Sequence, residues 1–221
     1  MNWAPLLLSF QVAAAATLLA GLLGVALAGW LSMRRFVGRE LIDVIITAPM
    51  VLPPTVLGYY LLVLIGKNSM IGGLFETLLG HPLVFTPAAA VLAAGVTALP
   101  FVVKSAKAAM QDVDPRLLGA AATLGASPLR VFLTVVLPLS RSGILAGITL
   151  GFARALGDFG VTLMVAGNLP GLTQTASLAI YDAVQAGRDA EAAGMAAVLT
   201  AMAIAALFLG NWLLRARSHG W

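Results

Sequence analysis

Few residues in this 221-residue chain could do chemistry, and their spacing excludes most of it. Arg154 and Asp158 stand four apart in Gly151-Phe-Ala-Arg-Ala-Leu-Gly-Asp-Phe-Gly160, inside an apolar stretch. One helical face would project both. Charges that deep are costly, and paired ones face a bundle interior or a pathway. The pair reads either as an internal salt bridge orienting its helix, or as an arginine that helps an anion past or locks a gate. A neutralised arginine attracts anions weakly, which favours the bridge. Gly151, Gly157 and Gly160 would admit a close neighbouring helix. Lys67 follows Gly66 as in a phosphate loop, but Asn68 comes next and the upstream glycine spacing is missing. His81 and His219 are isolated, cysteine is absent, and no nucleophile–base pair is recognisable. Metal ligation, disulfides and catalysis by this chain are therefore not expected.

A second group acts through the backbone. In Thr47-Ala-Pro-Met-Val-Leu-Pro-Pro-Thr-Val-Leu-Gly-Tyr-Tyr60, the prolines Pro49, Pro53 and Pro54 remove amide donors and free the carbonyls they would have paired. Hydrocarbon cannot satisfy those carbonyls, so the stretch should face protein or a water-filled cavity. The alternative is a packed kink with no part in transport. Thr47, Pro53, Pro54, Thr55 and Gly58, with Arg154, Gly157 and Asp158, are the candidate lining of a pathway or gate.

These residues must be positioned by elements of an unusual composition. Sixty per cent of the chain is hydrophobic and only 10% charged, with a mean hydropathy of +0.98. That leaves too little polar surface to coat a water-soluble globule, where about 25% charged residues is usual. Apolar runs long enough to cross a bilayer, about 20 residues each, recur along the chain. The expected fold is an all-α polytopic membrane bundle, a single transmembrane domain over residues 1–221. Its spans lie at about 5–33, 41–65, 87–103, 144–166 and 192–214. A net charge of +4 and a pI near 10 raise nucleic acid as a partner. The basic residues, however, sit in short segments between apolar runs, where they would meet lipid headgroups.

Those basic residues also set an orientation. Arg34, Arg35 and Arg39 follow the first span, and Lys104, Lys107, Arg116, Arg130 and Arg141 follow the third. Arg215 and Arg217 follow the fifth, leaving Lys67 and Arg188 for the other side. Positive charge marks the cytoplasm, which places the N-terminus outside and the C-terminus inside. Met1 to Phe10 hold no Lys or Arg, so the first span reads as retained rather than as a cleaved signal.

The polar connection at about 104–141 is the richest in pattern. Asp114-Pro115 is a helix start, because the carboxylate caps free N–H groups and proline suits the first helical position. Leu117, Leu118, Ala121 and Leu124 can share an apolar face. Gly125 can take the positive φ that ends a helix, and Ser127-Pro128 opens a second one reaching Leu137-Pro138. The outcome is a helix–glycine–helix hairpin with apolar faces outside the bilayer. Such faces call for a protein partner, or for cover from the chain's own base.

Ala120-Ala121, Gly125 and Leu137-Pro138 have the spacing of the Glu-Ala-Ala loop of ABC importer permeases, and the chain resembles that family. The proline-rich second span, Ala155-Leu-Gly-Asp-Phe-Gly-Val161 and Asn168-Leu-Pro-Gly-Leu-Thr-Gln-Thr175 look like its molybdate permeases, with sulfate permeases near relatives. Gly119 stands where the family has Glu, which puts in doubt a salt bridge to the ATPase but not the docking. Asp158 stands where relatives often have Glu. The resemblance implies a type I importer permease with about five transmembrane helices. Its coupling hairpin would use Gly119, Ala120, Ala121, Gly125, Ala126, Leu137 and Pro138. It further implies a second copy of the chain, two cytoplasmic ATPase subunits that hold ATP and Mg, and a periplasmic or lipid-anchored oxyanion-binding protein. No cofactor and no nucleic acid would bind this chain. Molybdate, tungstate and sulfate are tetrahedral dianions that the pathway residues do not discriminate. The competing readings are an ion-coupled secondary transporter, expected to show an inverted repeat or unpaired intramembrane acids, and a membrane scaffold or enzyme. Neither an inverted repeat nor such acids are recognisable.

Overall fold

A computed structural model describes residues 3–34 and 36–216. Among the described residues every regular element is helical. The first, α1 (Ala4–Met33), has 30 residues. At 1.5 Å per residue it is about 45 Å long, more than the ~30 Å of hydrocarbon.

The run expected as one span at 41–65 is two helices instead. α2 (Arg39–Thr47) follows Gly38 at φ +92° and passes into a 3₁₀ turn, Ala48–Met50. α3 (Pro54–Ile65) then leaves at 113° to that segment. The prolines are the physical reason. Pro53 caps α3 and Pro54 is its first residue, so neither offers an N–H to carry a helical ladder across the break.

α4 (Met70–Leu79) was not expected from the sequence. Its cap is Ser69, whose Oγ accepts the Gly72 N–H at 2.8 Å. α5 (Pro87–Gln111) starts where the third span was placed, capped by Thr86 Oγ1 on the Ala89 N–H at 3.2 Å. It continues past Val103 through Lys104 and Lys107, so the start of the expected 104–141 connection is an extension of the same helix.

The hairpin comprises α6 (Pro115–Thr123), α7 (Pro128–Val131), a π-turn at Phe132–Val136 and α8 (Leu137–Leu139). The span expected at 144–166 is interrupted: α9 (Arg141–Leu156) stops, and α10 (Gly160–Ala166) restarts after Gly157, Asp158 and Phe159. α11 (Ala176–Gln185), also not foreseen, takes its first amide bond from another helix, since Ala176 N–H donates to Ser9 Oγ at 2.7 Å. α12 (Asp189–Ala216) closes the described chain. Arg188 joins α11 to α12, 2.7 Å from Glu191 and 3.7 Å from Asp182. Among the described residues, three helices are long and apolar enough to cross a bilayer, or up to five spans if each of two bent pairs counts as one.

The core is built from α1, α5 and α9 through small residues. Ala13, Ala16 and Ala20 of α1 and Ala90, Ala94 and Ala98 of α5 lie in one buried cluster. A Cβ on Gly24 would sit 2.8 Å from Val102 Cγ1, and one on Gly147 2.9 Å from Ser105 Cβ. Inside a membrane lipid tails are as apolar as leucine, so association comes from close van der Waals approach and interhelical hydrogen bonds. The structure supplies both: Ser105 Oγ donates to the Gly143 carbonyl at 2.7 Å, and Ser140 Oγ to the Ala109 carbonyl at 3.2 Å. The outer surface carries Leu18, Leu22, Val63, Ile204, Phe208 and Trp212, all exposed. Water would penalise such a surface and hydrocarbon would not.

Candidate functional site

The hairpin is assembled by local chemistry. Asp114 Oδ1 accepts the Arg116 N–H at 2.8 Å, and Ser127 Oγ accepts the Arg130 N–H at 3.4 Å. α6 ends in a Schellman motif, with Gly125 N–H on the Ala122 carbonyl at 3.0 Å and Ala126 N–H on the Ala121 carbonyl at 3.1 Å. Gly125 adopts φ +81°, as its place in the pattern required. In the second arm the Leu137 N–H reaches back five residues to the Phe132 carbonyl. Pro138 has no N–H and its ring would crowd the carbonyl four residues earlier, so the ladder widens by one residue there.

The apolar face of α6 is divided rather than shared. Leu118 packs with Phe132 and Leu137 onto a cluster of Ala28, Ala106, Met110, Val136 and Ile144, which ties the hairpin to the core. Leu117 and Leu124 point away and are 48% and 87% exposed, and Leu129 and Leu133 are exposed too. Gly119 and Ala120 are exposed, Ala121 and Ala126 half-buried, and Pro138 is exposed. A Cβ on Gly119 or Gly125 would meet nothing within 4 Å. The hairpin thus presents a capped, rigid surface with uncovered leucines.

The second group lies where two broken helices meet. Arg154 Nη1 is 3.1 Å from Asp158 Oδ1, so the expected pair forms. It forms across a helix end, however, and not along one helical face, because α9 stops before Asp158. The carboxylate caps α10: Oδ2 accepts the Thr162 N–H at 3.0 Å and the Thr162 Oγ1 hydroxyl at 2.7 Å. The Asp158 side chain is 2% exposed and that of Arg154 31%. A buried carboxylate is tolerable only with such partners. A Cβ on Gly160 would lie 2.7 Å from Pro54 Cβ, and one on Gly58 2.7 Å from Met164 Cβ. The start of α3 and the start of α10 are therefore side by side, which brings Pro54 and Gly58 beside the Arg154–Asp158 break. Pro53, Thr55 and Gly157 are exposed. Thr47 stands on the other side of the proline break. It ends α2, before the 113° bend, with Oγ1 donating to the Asp43 carbonyl at 2.8 Å.

Two features escaped the sequence reading. Thr162 is the second partner of Asp158, and nothing in its neighbourhood marks it. Asp43 is 2.8 Å from Lys107 Nζ and 3.6 Å from Lys104 Nζ. A lone carboxylate within Leu41–Thr47 was the available signal, since an acid in an apolar run implies a partner. Lys67 pairs with Glu76 at 3.2 Å, and His81 Nδ1 sits 3.2 Å from the Pro82 carbonyl oxygen. No group of His, Cys, Asp and Glu among the described residues could hold a metal. Arg35, Arg217 and His219 lie outside the described residues.

Residues 20–219 match the family model described as "Binding-protein-dependent transport system inner membrane component". A putative molybdenum transport system permease protein of Bacillus subtilis is 45% identical over 84% of this chain and 82% of its own. The molybdenum transport system permease protein of Escherichia coli K12 is 40% identical over 97% of this chain and 94% of its own. Among solved structures, an inward-facing MetNI methionine ABC transporter superposes with a TM-score of 0.75 at 16% identity, over 96% of this chain and 94% of that one. At that identity the likeness concerns fold, and the permease architecture expected from the sequence is the one observed. With a family model and relatives that run nearly its whole length, this chain belongs to the binding-protein-dependent transport system inner membrane components.

Proposed function

We propose that this chain is the permease subunit of an ATP-driven importer that moves molybdate across the cell membrane. Two copies form the pathway, with the Pro54–Gly58 and Arg154–Asp158 breaks beside it. Two ATPase subunits holding ATP and Mg dock on the exposed leucines of the hairpin, and a binding protein delivers the anion on the opposite side. The N-terminus is then outside and the basic end inside. The observation that carries the reading is high identity, along nearly the whole chain, to permeases named for molybdenum transport. The hairpin supports it: a rigid, capped surface with uncovered leucines suits a docking partner. Arg154 serves structure first, since Asp158 neutralises it and is itself fully hydrogen-bonded.

The test is reconstitution of the chain with its ATPase and binding protein in proteoliposomes, followed by uptake of molybdate, tungstate and sulfate. ATP-dependent molybdate uptake that sulfate in excess does not abolish is expected. Uptake of sulfate in preference to molybdate would move the chain to the sulfate permeases. Uptake driven by an ion gradient without ATP would end the importer reading.

A further inference from the structure

α2 is held only weakly by packing. None of its nine residues is buried, and Leu41, Val44 and Ile45 are exposed. Both of its ends are built to turn. Before it stands Gly38 at φ +92°, where a Cβ would meet nothing within 4 Å. After it comes the proline break, where the chain swings by 113° into α3. At its centre, beside the half-buried Ile42 and Ile46, α2 is tied to the molecule by one carboxylate shared by two lysines of α5. Lys107 Nζ lies 2.8 Å from Asp43 Oδ1 and Lys104 Nζ 3.6 Å from Oδ2. The lysines are three residues apart, so they share one helical face and can meet one acid. Asp43 and Lys107 are 19% and 16% exposed, while Lys104 is 52% exposed.

The two sides of this tie lead to different places. α5 ends at Gln111, and Asp114, the cap of α6, follows almost at once, so the lysines are joined through rigid helix to the hairpin. Asp43 is joined through α2 and the proline break to α3, the helix packed on the Arg154–Asp158 region. We infer that Asp43 is a positioning residue for transport. Its tie to Lys104 and Lys107 makes α2 follow the end of α5, so that displacement of the hairpin swings α2 between Gly38 and the proline break. A partly hydrated ion pair suits this task. It sets register through direction and charge, yet its net worth is small enough to be broken and remade in each cycle. The inference rests on the hairpin being the ATPase docking surface, as proposed above.

The experiment uses the complete complex with ATPase and binding protein in proteoliposomes, and reads molybdate imported per ATP hydrolysed. Asp43→Asn should leave assembly and ATP hydrolysis near wild type and lower that ratio about fivefold, the factor set by roughly 1 kcal/mol. The exchanged pair Asp43→Lys with Lys107→Asp, made together with Lys104→Met so that no second lysine faces the new one, should return the ratio to within about twofold of wild type, as a restored charge contact predicts. A merely structural role would lower the yield of complex without moving the ratio. An unchanged ratio in Asp43→Asn overturns the inference. So does an exchanged pair as poor as Asp43→Asn in an intact complex. Should Asp43→Asn fail to assemble, Lys104→Met and Lys107→Met read the same quantity, and wild-type ratios in both would overturn it. Failure of the underlying importer reading is separable: the wild-type complex itself would not import molybdate with ATP.

Discussion

Removing the Asp158 carboxylate tests the polar centre of the molecule. Asp158→Ala strips three donors of their acceptor: Arg154 Nη1, the Thr162 N–H and the Thr162 hydroxyl. Breaking a buried ion pair from one side costs about 3–5 kcal/mol. The charge left without its partner is Arg154, inside the molecule and 31% exposed. It can recover part of its hydration, which pulls the expected loss to about 2–4 kcal/mol. Arg154→Met leaves the buried Asp158 anion without its counter-ion but with both Thr162 bonds, so it should also cost about 2–4 kcal/mol. The double variant should then lose less than the two single losses combined, by about 1–2 kcal/mol of coupling. Detergent-titrated unfolding of the purified protein, followed by circular dichroism, measures all four species. Strictly additive losses would refute the ion pair. Thr162→Val, which deletes the hydroxyl bond alone, should cost about 1 kcal/mol. No loss there would show that the hydroxyl bond contributes nothing beyond the Thr162 N–H bond, which the variant keeps.

Gly125→Val forces a β-branched residue into φ +81° with open space around it, so its cost of about 1–2 kcal/mol is backbone strain alone. Normal membrane levels with weakened ATPase association and lost uptake are expected, and wild-type uptake with a stably bound ATPase would detach the hairpin from coupling. Gly58→Val places a side chain where Met164 Cβ is 2.7 Å away, so α3 and α10 should splay at a cost of about 1–3 kcal/mol. Thermal unfolding reads that loss, and Met164→Ala, which keeps the Cβ, should not relieve it. The chain has no cysteine, so single cysteines at Ser69 and Ser127 report topology cleanly. An impermeant thiol reagent on intact cells should label the first and spare the second, and the reverse pattern would invert the proposed orientation.

Membrane class, helix starts and the hairpin were legible from the sequence because their causes are local or compositional. Asp114, Ser127 and Thr86 cap amides two or three residues away, and Gly125 takes its positive φ within its own turn. An apolar run of sufficient length is visible without knowing what it touches. Where the runs bend was only half legible. Pro53 and Pro54 announce a break, but the 113° between the two halves depends on α3 lying against α10 through Gly58 and Gly160. Nothing local announces the interruption at Gly157–Phe159. Arg154 and Asp158 are four apart on either side of it, and a continuous helix would also have paired them. Helices α4 and α11 are short, and α11 borrows its cap from Ser9, 167 residues earlier. The Asp43–Lys104–Lys107 tie was hidden for the same reason. A carboxylate in an apolar run demands a partner, but which cation meets it is decided by how α2 lies on α5. Local spacing determines caps, turns and hydropathy, whereas partners distant along the chain are chosen only when the helices pack.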